Sequence, residues 1–282
     1  MRLILLTVLT MIAFAANSIL NRLAVDSGAI DPSSFAMIRV LAGAVALCMI
    51  LTVRGGGLPI LARGRFVGAA SLAAYMIGFS LAYVTLDAGL GALILFGTVQ
   101  VTMFAWSALR GAGPTQRQLL GAGVAFAGLM LALWPSGEGA GDLAGALLMV
   151  IAGLGWAAYT IVGKGAQDPL ATTAANFVVA VPLLLLLLLG AGLHAAPTGI
   201  ALAILSGAVT SGLGYALWYH VLPQLAGQTA AVVQLSVPII AITAGVLFLG
   251  EAMTVAVGVA AVLVLGGIAL AVTSPAVQAG HT

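Results

Sequence analysis

Charge is what this chain has least of. Asp, Glu, Lys and Arg make up 6% of its 282 residues, against roughly 25% in soluble domains. So few charged side chains cannot cover a water-facing surface, which excludes a soluble globular fold. Cysteine is nearly absent as well. The single Cys48 lies inside an apolar run, so no disulfide framework exists. Three histidines, one cysteine and loop carboxylates form no HExxH, paired-Asp or Ser-His arrangement. A membrane-embedded enzyme would lack both nucleophile and metal constellation, and no cofactor, metal or nucleic-acid partner is expected.

What the chain has in excess is apolar length. Hydrophobic residues reach 62% and mean hydropathy is +1.22. The runs extend about 20 residues, as membrane helices require, rather than alternating over ten as barrel strands do. Ten spans are predicted, at residues 2–24, 33–52, 66–86, 89–110, 117–134, 142–163, 171–190, 199–221, 227–249 and 252–273. The first of these, opening with Arg2, has some features of a signal peptide. Its counterpart in the second half assigns it to the fold. Short loops join the spans and leave no room for an extramembrane domain.

Loop cations set the expected orientation. With the N-terminus cytoplasmic, the inner side receives Arg2, Arg54, Arg63, Arg65, Arg110, Arg117 and Lys164, and the outer side only Arg22 and Arg39. Asp26, Asp31, Asp87, Glu138, Asp142 and Glu251 then fall outside. An even number of spans puts both termini in the cytoplasm, with the protein in a bacterial-type inner membrane.

An internal repeat divides the chain. Phe14-Ala-Ala-Asn-Ser-Ile-Leu-Asn-Arg22 aligns without a gap on Trp156-Ala-Ala-Tyr-Thr-Ile-Val-Gly-Lys164. Asp31-Pro32 then matches Asp168-Pro169, Ala92 to Gln100 lies over Ala230 to Pro238, and Gly121 pairs with Gly258. The expected units are residues 1–137 and 138–282, with five helices each. An odd helix count inserts the second unit from the opposite face, and such inverted repeats mark transporters.

These residues carry a resemblance. Ala88 to Ile94, Gly227 to Val232, Pro238, Leu249-Gly250-Glu251 and Gly258, Gly266 and Gly267 resemble the drug/metabolite transporter superfamily. The pattern is similar to its ten-helix EamA-type exporters, and within them to the YddG-like amino-acid exporters. The first half departs from the pattern, with Gln100 in place of Pro238 and Leu109-Arg110-Gly111 near the Leu-Gly-Glu position. The resemblance implies a central cavity walled by helices three, four, eight and nine, with one, two, six and seven as gates and five and ten outside.

Several side chains are candidates for that cavity. Tyr75, Phe79 and Tyr83 recur at i+4 on helix three and so share a face. Phe96 and Gln100 share a face of helix four, and Trp156 and Tyr159 one of helix six. Gln100 and Gln234 lie inside spans, where an amide either bonds a neighbouring helix or faces a wet cavity. Asn17 and Asn21 stand where small multidrug exporters of the superfamily carry a membrane-embedded Glu. Pro182 and Pro238 interrupt helices seven and nine and, with Asn17 and Asn21, are gate or hinge candidates. The Tyr215, Trp218, Tyr219 and His220 cluster reads as an interfacial belt. Arg39, about 9 Å into its span, is placed to snorkel outward, pairing with Asp31 or Asp26 or attracting a departing carboxylate.

The expectation is an exporter of neutral amino acids, aromatic ones included, and related small metabolites. Alternating access by facilitated efflux is expected, with the zwitterion's charged ends met by amide, hydroxyl or backbone dipoles. The alternatives are a proton-coupled drug/metabolite exporter of the same superfamily and, in a different class, a gated pore or membrane scaffold.

Overall fold

The structure is a computed structural model that describes residues 1–110, 115–133, 142–163, 166–187, 193–225 and 233–272. Lys164, Glu138, Gly111 and the expected start of helix nine at 227–232 lie outside the described residues. Ten helical segments follow one another among those described. The first half has α1 (Arg2–Asp26), α2 (Pro32–Val53), α3 (Arg65–Ala82), α4 (Ala88–Leu109) and α5 (Gln116–Leu133). The second has α6 (Leu143–Gly163), α7 (Pro169–Leu187), α8 (Pro197–Gln224), α9 (Ser236–Leu249) and α10 (Val255–Val272). Seven are long and apolar enough to cross a membrane. The all-helical membrane architecture expected from the apolar runs is therefore present. α3 stops at Ala82, where the Val84 and Thr85 amides bond the Leu81 and Ala82 carbonyls three residues back rather than four.

Burial runs opposite to that of a soluble bundle. Outward faces are apolar, as with Ile4, Leu5, Val8 and Ile12 on α1 and Leu41, Val45 and Met49 on α2. Polar residues within the spans point inward instead: Asn17, Ser18, Asn21, Arg39, Ser80, Asn176, Ser206 and Ser211 are all buried. Hydrocarbon offers no hydrogen bonds, so polar side chains must find partners inside the bundle.

Local signals place the helix starts. Asp31 caps α2 by accepting from the Ser34 amide at 2.9 Å, with Pro32 in the first turn. The same carboxylate accepts from the His194 amide at 2.7 Å and so ties the α7–α8 connection to the start of α2. Burial alone would raise the Asp31 pKa, but these hydrogen bonds hold it below the ordinary carboxylate value. α8 is not uniform, since Leu205–Leu213 is π-helical. Within it, Gly207 lies so close to the Arg39 carbonyl of α2 that a side chain there would collide. π-turns of this kind recur at functional sites.

The helix contacts come in matched sets. α3 packs on α6, and α8 packs on α1; α2 packs on α8, and α7 on α3; α4 packs on α6, and α9 on α1. The pairs α2 with α7, α4 with α9 and α5 with α10 are also in contact. Exchanging each helix of the first five for its counterpart in the second five turns this set into itself.

One end of the bundle is bound together by charge. Arg22 of α1 donates to the Tyr83 and Val84 carbonyls at 3.0 and 3.2 Å, and pairs with Asp26 at 3.1 Å and Asp87 at 3.7 Å. Gly250, in the left-handed region at φ 69°, turns the chain after α9. That turn lets Glu251 accept from the Ala88 and Gly89 amides at 2.5 and 3.2 Å, where α4 begins with its amides unsatisfied. Burial raises the Glu251 pKa, opposed by those two amide bonds. A raised folded-state value favours the protonated folded form, so this group's contribution to stability declines as pH rises from the ordinary carboxylate value through the raised one.

Glu251→Ala should therefore cost about 1–2 kcal/mol, as loss of a helix cap does, and lower the unfolding temperature in detergent. Glu251→Gln should retain most of the stability and lose the pH-dependent decline. An alanine variant as stable as the parent would remove the cap from the account.

Candidate functional site

A small cavity of about 20 Å³ lies within the bundle. Phe14, Asn17 and Ser18 of α1, Tyr75 and Phe79 of α3, Leu95 and Phe96 of α4, Trp156 of α6 and Tyr215 of α8 form its walls. That volume admits about one water molecule and no metabolite, so the walls must part before anything larger enters. The aromatic rings are in mutual contact. Trp156 lies 5.0 Å from Tyr75 and 5.2 Å from Tyr215 between centroids, and Phe14 lies 5.8 Å from Tyr215.

Of the residues singled out from the sequence, Tyr75, Phe79, Phe96, Trp156 and Asn17 meet at this cavity. Tyr159 stands one turn beyond, stacked on Trp156 at 5.4 Å. Tyr83 is buried behind Phe79, ring edge to ring face at 4.8 Å. Gln100 and Gln234 are half-buried and outside the walls. Asn21 sits one turn past Asn17 and donates to Ser80 Oγ at 2.9 Å, while its own Oδ1 has no partner. Pro238 is buried in α9, whereas Pro182 is exposed on the outer face of α7. The cavity's walls thus come from helices one, three, four, six and eight, not the set implied by the resemblance.

Two readings change. The aromatic cluster of α8 is not a belt, because Tyr215 is buried in the cavity wall and Trp218 packs on Phe14 at 6.0 Å. Only His220 of the four is exposed. Helical spacing explains the difference, since Tyr215, Trp218 and Tyr219 share one inward face.

The larger change concerns Arg39, which does not snorkel. It is 0% exposed. Nε donates to Ser211 Oγ at 3.1 Å and Nη2 to Tyr75 Oη at 3.0 Å. The guanidinium carbon lies 5.4 and 4.9 Å from the Tyr75 and Phe79 ring centroids. Nη1 has no hydrogen-bond partner. Among the described residues the ion pairs are Arg22 with Asp26 and Asp87 and Arg54 with Asp168, so no carboxylate neutralises Arg39. A full cation therefore lies behind the Tyr75 and Phe79 wall of a cavity that was expected to offer dipoles alone.

Arg39 is also wired to the cavity by hydroxyls. Ser211 Oγ, which accepts from Arg39, donates to Asn17 Oδ1 at 3.2 Å. Ser206 and Thr210 donate to the same oxygen at 2.9 and 2.6 Å. All three hydroxyls lie in the π-helical stretch of α8, a network that hydropathy and aromatic spacing do not reveal. Three polar residues in a nine-residue apolar segment were the available signal.

Toward the Arg-rich end, Tyr159 donates to Thr173 Oγ1 at 3.0 Å, and Thr173 donates to Tyr219 Oη at 2.9 Å. Beyond this hydroxyl chain opens a groove of about 710 Å³, lined by Arg63, Arg65, Gly163, Asp168, Thr172 and Asn176 among others. Arg65 is buried there too, with three neutral acceptors to Arg39's two: Pro59 O at 3.0 Å, Thr172 O at 2.8 Å and Asn176 Oδ1 at 2.7 Å. At the opposite end the Arg22 and Glu251 contacts close the bundle.

The comparisons with known proteins agree with this architecture. The uncharacterized protein PA1977 of Pseudomonas aeruginosa is 48% identical over 271 residues, covering 95% of this chain and 94% of that one. The uncharacterized transporter YwfM of Bacillus subtilis is 26% identical over 236 residues, covering 79% and 78%. A crystal structure of a protein 18% identical superposes with a TM-score of 0.63 over 93% of this chain and 96% of that one, a likeness of fold. The EamA-like transporter family matches residues 143–273. With helices, buried polar groups and an internal cavity in place, the chain belongs to the EamA-like transporter family and is a multi-pass membrane transporter of the drug/metabolite superfamily.

Proposed function

We propose that this transporter exports neutral amino acids, aromatic ones included, and related small metabolites by alternating access. The observation that carries the reading is the ring-lined cavity, where Phe14, Tyr75, Phe79, Trp156 and Tyr215 converge from four helices. Their faces suit a flat apolar side chain, and they also attract an ammonium group. Asn17 supplies a polar group beside them.

The moving parts are proposed to be two inverted five-helix units, residues 1–137 and 138–282. Support comes from the matched helix contacts and from the cavity itself. Tyr75 of α3 lies on Trp156 of α6 as Tyr215 of α8 lies on Phe14 of α1, and Phe14 and Trp156 align in the sequence repeat. Such units rock about a central site and expose it to one side at a time. Tyr159, Thr173 and Tyr219 would close the path to the Arg-rich side, and Arg22 with Asp87 and Glu251 the path to the other. The excess of loop cations supports a cytoplasmic Arg-rich face in an inner membrane. Among the described residues no carboxylate lines the cavity, which favours facilitated efflux over proton exchange.

Purified protein in liposomes should show saturable counterflow of radiolabelled phenylalanine, tyrosine, tryptophan or other neutral amino acids. Unsaturable flux would point to a pore, and uphill uptake driven by a pH gradient would replace efflux with proton exchange. Absence of counterflow across the whole amino-acid panel would reject the substrate class. Trp156→Ala should reduce counterflow of an aromatic amino acid by about tenfold or more, the usual cost of removing a buried aromatic anchor. Leu154→Ala, exposed on the outer face of the same helix, should change it little.

A further inference from the structure

We infer that Arg39 is the carboxylate-binding group of the transport site, so that the substrates are small organic carboxylates with an apolar or aromatic body. The carboxylate is required for recognition and the ammonium group is dispensable. The inference deepens the proposed export of amino acids and rests on that reading for the identity of the cavity as the transport site.

A buried guanidinium is costly in a membrane. Its retention needs compensation. The protein supplies part of it: two hydrogen bonds to hydroxyls and two ring faces. Hydrogen bonds to charged groups are stronger than those between neutral ones, and cation–π contacts strengthen when desolvated. The set remains incomplete in two respects. Both N–H groups of Nη1 lack an acceptor, and the charge lacks a counterion among the described residues.

Arg65 shows that the alternative was available. Less completely buried, at the start of α3 beside the groove, it spends its donors on two carbonyls and an amide oxygen. A structural arginine in this bundle is thus satisfied by the protein, whereas Arg39 keeps a donor pair in reserve. The groups that hold Arg39 are themselves at the cavity: Tyr75 and Phe79 form its wall, and Ser211 leads to Asn17. When the walls part, an anion entering between these rings meets a fixed, oriented cation with unused donors. A planar carboxylate matches the guanidinium fork. The aromatic faces then take the rest of the molecule, and a substrate ammonium gains only a ring contact.

Ligand binding to the detergent-solubilised protein tests this with four compounds sharing one phenyl group: L-phenylalanine, 3-phenylpropionate, L-phenylalaninamide and phenethylamine. Titration calorimetry should show the two carboxylates binding at least about tenfold more tightly than the amide and the amine. Arg39→Met should bring all four to the weaker level, and Arg39→Lys should keep the preference in reduced form. If the variants do not fold, the parent series decides alone. Binding of phenethylamine or phenylalaninamide as tight as that of phenylalanine overturns the assignment, as does failure of both carboxylates to bind. Stabilisation by sodium chloride alone, without carboxylate binding, makes the occupant an inorganic ion and likewise overturns it. The two readings fail separately. Arg39-dependent binding of 3-phenylpropionate without amino-acid counterflow leaves the carboxylate site standing and removes amino acids as cargo. Counterflow that tolerates loss of the carboxylate does the reverse.

Discussion

A single guanidinium taken wholly out of solvent organises the centre of this bundle. Arg39 cannot be placed without acceptors, and each acceptor fixes a different helix: Ser211 brings α8 against α2, and Tyr75 brings α3. The approach of α8 depends on Gly207, which has no side chain to collide with the Arg39 carbonyl. The π-helical register of Leu205–Leu213 then presents Ser206, Thr210 and Ser211 to Asn17 of α1. Four helices are thereby oriented around one cation. The rings that shield it, Tyr75 and Phe79, are also cavity wall, so the device that solves the burial problem shapes the site.

The bundle around that centre is held at both ends. One end is tied by ion pairs and a helix cap, through Arg22, Asp87 and Glu251. The other holds the hydroxyl chain Tyr159 to Thr173 to Tyr219 and, around the wide polar groove outside it, the Arg54–Asp168 pair and the Arg65 bonds to Thr172 and Asn176.

Much of this was legible in the sequence, because bilayer thickness imposes a length on every span and the lack of charge excludes other classes. Helix positions follow from that constraint, and the Tyr75 to Phe79 stripe and Trp156 follow from helical periodicity. The misreadings share one cause. Depth along a helix was legible, but the direction a side chain faces was not. Arg39 lies shallow enough to reach solvent, yet it turns inward because α3 and α8 offer hydroxyls and rings there. Tyr215 lies near a helix end with His220, yet points to the cavity. Gln100 on α4 and Gln234 just before α9 are half-buried and stand outside the cavity wall. The Asn17 hydroxyl network was invisible because it joins residues separated by 189 to 194 positions.

The most direct test of the account is a structure of the protein in lipid nanodiscs with 3-phenylpropionate bound. The carboxylate should lie within hydrogen-bond distance of Arg39 Nη1, with the phenyl ring among Phe14, Tyr75 and Trp156. Arg39 paired instead with a carboxylate of the chain, or the ligand bound away from these rings, would contradict it.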